Sequence, residues 1–236
     1  MQPLAFDHLV LMLRDRLTEL APRFEQDGYT LTDLAIHNLG SINRLITLDS
    51  TYIELLGWPE NKPPARKEIA DVPQGLDALV FRTENAQQTF DYLKSRQFAV
   101  NPVQRLERPL ELNGATHMAR FDTVRFSVQP IAGLRIYFCQ HLTPEHVWME
   151  RFMRHDNGAK SLTEIVIDAH QPESVAQTLA TLTMASADKN NNDYTVTLPN
   201  LSLRIRHNAV TPEAKVTGAL LADNKGVVQR FDTRLS

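Results

Sequence analysis

Apolar residues recur along this chain in two rhythms, and the rhythms alternate. FDHLVLML reads as a strand buried on both sides, and RDRLTELAPRFEQDG then sets Leu17, Leu20 and Phe24 at helical spacing before stopping at Gly28. YTLTDLAI, INRLITL and TYIELLGW return to strand patterns. The same order of strand, helix and three strands begins again at LDALVFRT, with a helix from about Asn85 to Arg96 that buries Ala86, Phe90 and Leu93. FAVNPVQRL, ARFDTVRFSV and LRIYFCQH follow. A third, shorter copy runs through LTEIVIDA, a helix opened by Pro172 with Val175, Leu179 and Leu182 on one face, and YTVTL, LSLRIRH and VTGALLAD.

The pattern predicts a first βαβββ module over residues 1–60, a second over 74–142 and a shorter third of βαββ type over 161–236, packed as one unit. Between the second and third, Thr143-Pro144-Glu145 predicts a helix through HVWMERFMRH, closed by the turn Asp156-Asn157-Gly158 across residues 143–160. Pro59 to Pro73, holding Lys62, Pro63, Pro64, Arg66 and Lys67, has no periodicity and reads as a surface linker. The expected fold is α+β: repeated βαβββ modules whose curved, mixed or antiparallel sheets surround a cup fit for a small ligand.

Two polar residues break the apolar strands of the first module. Alternation sets Tyr52, Glu54 and Leu56 on one face, and Phe6, His8, Val10 and Met12 on one face opposite Asp7, Leu9 and Leu11. A buried carboxylate is costly unless paired, coordinated or protonated, so Glu54 needs a partner, and His8 is the obvious one. Imidazole and carboxylate are ligands of a borderline divalent metal; without metal they form an acid–base pair or a purely structural hydrogen bond.

Composition narrows the partners. With 25 Lys plus Arg against 28 Asp plus Glu, the net charge of -3 offers no general attraction to nucleic acid or an anionic membrane, and neither is expected. The single cysteine, Cys139, excludes an internal disulfide and a CxxC zinc site and fits a cytoplasmic protein. MQPLAFDHLVLMLRDRL lacks the basic start of a signal peptide, and no apolar run reaches the roughly 20 residues of a membrane span. No GxGxxG, GxxxxGK[ST] or GxSxG occurs, so nucleotide fingerprints and hydrolase elbows are absent.

Four phrases fall in order: DHLVL; HNLGSIN from His37 to Asn43, read as H-x-x-G-[ST]-x-N; YIELLG; and W-x(6)-H-x-NGA from Trp148 to Ala159. Together they resemble the glyoxalase-like domain family of the vicinal oxygen chelate (glyoxalase/bleomycin resistance/extradiol dioxygenase) superfamily. The resemblance implies a divalent ion (iron, manganese, nickel or zinc) held on the first and last strands of modules and chelated by substrate oxygens. His8 and Glu54 match those positions. In the second module Ala78 or Leu79 and Cys139 stand there instead, which leaves His141 as a further candidate ligand. Glu164 falls opposite His8 when LTEIVI is laid on DHLVL, and it is a candidate ligand or, like Glu54, a catalytic proton shuttle.

Around the cup mouth, His37, Asn43 and Arg44 are expected to bind substrate, Arg44 by gripping a carboxylate or phosphate, while His155 either holds its loop or contacts substrate. The resulting expectation is a metal-dependent isomerase, lyase or dioxygenase acting on a small carbonyl- or enol-containing substrate. The alternative is a metal-free small-molecule binding or sequestration protein of the same superfamily. An odd number of modules leaves an edge that a homodimer could cover.

Overall fold

In the computed structural model residues 2–37, 40–62, 64, 69–112 and 114–235 are described. Asn38 and Leu39 of the HNLGSIN phrase, and Pro63, Arg66 and Lys67 of the expected linker, lie outside them. The first module comprises β1 (Phe6–Arg14), α1 (Leu17–Gln26), β2 (Ala35–Ile36), β3 (Ile42–Thr47) and β4 (Tyr52–Gly57). The second comprises β5 (Gly75–Arg82), α2 (Ala86–Ser95), β6 (Gln104–Leu112), β7 (Ala115–Arg125) and β8 (Ile136–His141). They join in one eight-stranded sheet of order β2-β3-β4-β1-β5-β8-β7-β6. It is mixed: β1 runs parallel to β4 and antiparallel to β5. The sheet curves until its edge strands β2 and β6 approach each other, making a nearly closed, cup-like barrel.

The third module has the same order, β9 (Ala159–Ala169), α3 (Pro172–Thr183), β10 (Ala187–Asn190), β11 (Asp193–Thr197) and β12 (Ser202–His207). β13 (Lys215–Asp223) and β14 (Val228–Arg230) complete a six-stranded sheet, β10-β11-β12-β9-β13-β14. Here the expectation of a shortened third copy needs correction. β10 to β12 finish a full βαβββ unit, and β13, antiparallel to β9, takes the place that β5 takes beside β1.

Three predicted elements shrink for local reasons. The expected strand YTLTDLAI survives only as Ala35–Ile36, while the Thr32 hydroxyl is spent accepting from the Leu45 amide. FAVNPVQRL begins its strand only at Gln104, past Pro102, which has no amide to give a ladder. The helix expected after Thr143 is two separate 3-10 turns, Pro144–His146 and Glu150–Phe152.

Alternation sorts β1 onto two cores. Leu9, Leu11 and Leu13 face outward from the cup, into a cluster shared with Leu17, Leu20 and Phe24 of α1, with α2 and α3, and with Ile165, Ile167 and Leu203 of the second sheet. Val10 and Met12 face inward with Leu56, Ala78, Val80, Tyr137 and Cys139 and make the apolar floor of the cup. Burial on both faces is why β1 reads as an unbroken apolar run.

At its far end β1 meets β4 closely. Arg14 has φ 58°, and its carbonyl accepts from Trp58 N at 3.0 Å beside Gly57. A Cβ on Gly57 would lie 2.1 Å from that carbonyl oxygen. Gly57→Ala is therefore expected to lower stability by about 2 kcal/mol or more, the scale of overpacking in a rigid site. Gly218→Ala, whose Cβ would meet nothing nearer than 3.5 Å, is expected to stay within about 0.5 kcal/mol. Urea midpoints of the two variants beside wild type measure the difference.

Candidate functional site

The site begins with a slip in the sheet. Along the β1/β5 ladder Phe6 pairs with Phe81 and His8 with Val80, so Asp7 is the extra residue of a bulge. Phe6 consequently joins Leu9 and Leu11 on the outward face, while Asp7 and His8 interact directly on the other. The expected alternation, with Phe6 beside His8 and Asp7 opposite, fails at this residue. Asn200, from the loop before β12, secures the slip: its Oδ1 accepts from Phe6 N and its Nδ2 donates to Phe6 O, each at 2.9 Å.

Asp7 is wholly buried, and its carboxylate is fully engaged. Oδ2 accepts from His8 Nδ1 at 2.7 Å, Oδ1 accepts from Arg82 Nε at 2.8 Å, and His141 Nε2 lies 3.0 and 2.9 Å from the two oxygens. Burial alone would raise its pKa, but the charges and hydrogen bonds of His141 and His8 outweigh burial and hold it well below the usual carboxylate range. When the His8 ring is neutral, a proton on Nδ1 directed to Asp7 leaves the Nε2 lone pair turned to the cup. The ring stacks on Tyr52, centroids 4.4 Å apart.

Nε2 of His8 faces two groups: the Tyr137 hydroxyl at 3.1 Å and Glu54 Oε2 at 3.7 Å. Glu54 is 6% exposed, and its other oxygen accepts from Asn43 Nδ2 at 2.7 Å. Burial would raise the Glu54 carboxyl, but His8, His37 and the Asn43 amide bring it below its ordinary value, so it is a carboxylate at neutral pH. Burial and the Glu54 charge push the Tyr137 phenol up, so it keeps its proton. A small recess, with a cavity volume of about 50 Å³, opens over these groups and is also lined by His37, Leu45, Phe121, Arg108, Arg125 and Cys139.

The sequence-derived residues separate clearly. His8, Glu54, Asn43 and His37 meet at the recess. Arg44, expected there, points the other way because strand alternation gives the cup to its neighbours Asn43 and Leu45. Its guanidinium donates to Thr32 O and Glu25 Oε1 at 2.7 and 2.8 Å. Glu164 lies in the six-stranded sheet, paired with Arg204 at 3.0 Å, outside the recess lining. His155 is a loop clamp: Nδ1 accepts from Thr30 N and Nε2 donates to Thr47 O, both at 3.0 Å, and burial lowers its pKa.

His141 shares Asp7 with His8 instead of joining Glu54. Asp7, Cys139 and His141 do bring donor atoms within 4.8 Å of one another. That carboxylate, however, already accepts from Arg82 Nε at 2.8 Å and from His8 Nδ1 at 2.7 Å.

Sequence reading missed Asp7, Tyr137 and Arg108. Asp7 was hidden by the bulge, and Tyr137 reads as one more apolar strand residue. Arg108 left a trace, since Leu106, Arg108 and Leu110 share one face of β6 and set an arginine between leucines.

A divalent ion fits the recess donors. Nε2 and Oε2 at 3.7 Å can both reach one ion at about 2.0–2.2 Å, and a carboxylate on the far nitrogen is the usual support of a metal-binding histidine. The count is two protein ligands, because the inward positions of β5 are Ala78 and Val80 and β8 brings the neutral Tyr137.

Asp7→Asn removes a charge from three donors and is expected to destabilise the protein by about 3 kcal/mol at pH 7. The Asp7 pKa is depressed on folding, so its contribution is present above the unfolded value of about 3.9 and is lost as pH falls below it. The gap in Tm between wild type and Asp7→Asn should therefore be widest near neutrality and narrow below about pH 4.

Among solved structures, a hypothetical protein from Staphylococcus aureus matches with a TM-score of 0.76 at 16% identity, covering 97% of this chain and 99% of its own. A xylose isomerase-like TIM barrel/4-hydroxyphenylpyruvate dioxygenase fusion protein matches at 0.57 and 12% identity, over 94% of this chain and 38% of its own. A mutant of 4-hydroxymandelate synthase from Streptomyces coelicolor matches at 0.50 and 13% identity, over 92% of this chain and 64% of its own. These likenesses concern the fold. A comparison with curated proteins returned no match. The glyoxalase-like domain profile matches residues 6–183, three quarters of the chain and both cup-forming modules, and the chain belongs to that family of the vicinal oxygen chelate superfamily.

Proposed function

We propose that the recess is the active site of a metal-dependent enzyme acting on a small substrate with a carbonyl or enol oxygen, by isomerase, lyase or dioxygenase chemistry. The observation that carries this reading is the facing of His8 Nε2 and Glu54 Oε2 at 3.7 Å under an open recess, with the other imidazole nitrogen fixed by a buried carboxylate. A divalent ion held by these two atoms would polarise the substrate oxygen as a Lewis acid.

The chain's own groups supply the rest. Asn43 fixes one Glu54 oxygen and leaves the other turned to the recess. Tyr137, held neutral, can donate its proton to an oxygen that gains charge. Glu54, ionised and desolvated, is the base for a proton beside the carbonyl wherever it is not a ligand. Leu45, Phe121 and Val147 exclude water around the bound molecule.

The second reading, a metal-free binding cup, has one observation in its favour: the Tyr137 hydroxyl already lies within hydrogen-bond reach of His8 Nε2. Titration of chelator-stripped protein with manganese, iron, nickel and zinc separates the two. The enzyme reading expects one ion per chain, lost in His8→Ala and Glu54→Ala, and affinity about 10–100-fold weaker in Asp7→Asn. Failure of wild type to bind any of these metals would transfer the site to the second reading.

A further inference from the structure

Arg108 is 6% exposed, yet its guanidinium makes no hydrogen bond or ion pair with any described residue. A buried, unpaired cation is costly, and long basic side chains ordinarily escape to solvent or find a carboxylate. Arg108 finds no carboxylate among the described residues, and its place in the fold leaves its guanidinium nitrogens only a small opening to solvent. It sits on the edge strand β6, where the barrel nearly closes on β2, and it lines the recess together with Leu106 of the same strand. It also borders a second, roomier groove lined by Asp33, Ala35, Met149, Arg151 and Phe152.

The groups around it define what it lacks. Glu54 is a carboxylate whose charge acts on it, but Glu54 spends Oε1 on Asn43 and turns Oε2 to His8. Glu107 also lines the recess, next to Arg108 on the strand. Arg125 adds a second cation, set over the Tyr137 ring at 4.8 Å. The recess therefore has a donor pair at the His8 and Glu54 end and an unanswered guanidinium across from it on β6.

Building on the reading of the recess as a substrate site, we infer that Arg108 anchors a carboxylate of the substrate, so that the natural substrate is a small carboxylic acid whose carbonyl or enol oxygen is presented to His8 and Glu54. A guanidinium offers paired N–H donors that match the two oxygens of a carboxylate. A single negative charge suits the recess better than a phosphate dianion, because Glu54 and Glu107 line the same walls and repel the second charge.

The test uses metal-free protein, so that it reads the anchor alone. Pyruvate, its neutral amide pyruvamide, and inorganic phosphate are titrated at pH 7 and followed by calorimetry and by the shift in Tm. Wild type is expected to bind pyruvate and to bind pyruvamide and phosphate at least about tenfold more weakly, the scale of one charge-assisted hydrogen bond. Arg108→Met should lose about tenfold or more in pyruvate affinity, and Arg108→Lys, which keeps the charge without the fork, should lose less. Circular dichroism confirms that each variant is folded, and the lysine variant carries the comparison if the methionine variant is not.

Equal binding of pyruvate and pyruvamide, tighter binding of phosphate, no pyruvate binding by wild type, or pyruvate binding unchanged in the folded Arg108 variants would each overturn the inference. Metal titration of the same wild-type and Arg108→Met samples keeps the two readings apart. Intact metal binding with no anion selectivity refutes the Arg108 anchor alone, whereas anion selectivity without metal binding refutes the metal-dependent reading alone.

Discussion

The arrangement of the cup depends on one buried carboxylate. Asp7 is placed by a one-residue slip in the β1/β5 ladder, and from there it reaches His8, Arg82 and His141 together. An ion in this position is tolerable only because every oxygen is answered by a donor, two of them on β1 and β5 and one at the end of β8. The same bonds fix the imidazole of His8, so that its second nitrogen faces Glu54 and Tyr137 instead of turning freely. Without the bulge, Asp7 would point into the apolar cluster with Leu9 and Leu11, and His8 would have no partner on its outer nitrogen.

This gives the second sheet a role that its own residues do not advertise. It contributes no side chain to the recess lining. It does share one continuous core with the outward face of the eight-stranded sheet, and Asn200 answers both backbone groups of Phe6, the residue before the bulge. A bulge removes ladder bonds, and the Asn200 amide restores them from outside the sheet. The third module thus braces the first, while the second closes the barrel and brings Arg108 and Arg125 over the cup.

The modular fold was legible because strand and helix periods repeat in the same order, and because the two-sided burial of β1 and β4 leaves an apolar run that a polar residue visibly interrupts. Glu54 and His8 stood out for that reason. What stayed hidden followed from local departures from period two. The slip at Asp7 inverted the assignment of Phe6, and nothing in DHLVL marks a bulge. Arg44 was misread because neighbouring strand residues face opposite ways and the sequence does not say which face of INRLITL is inward; Asn43 and Leu45 took it. Glu164 aligned with His8 by repeat position, but the repeat places it in a different sheet. Proline, at Pro102, decided the late start of β6 more than apolar pattern did.

The central claim is that Asp7 sets the His8 tautomer and so directs Nε2 into the cup. Nitrogen-15 NMR of histidine-labelled, metal-free protein tests it most directly, with His8→Gln used to assign the ring. The account predicts a proton on Nδ1, shifted downfield by its short bond to Asp7, and an Nε2 whose shift changes when a divalent ion is added. A His8 ring protonated on Nε2 with a bare Nδ1, in a folded protein, would contradict it.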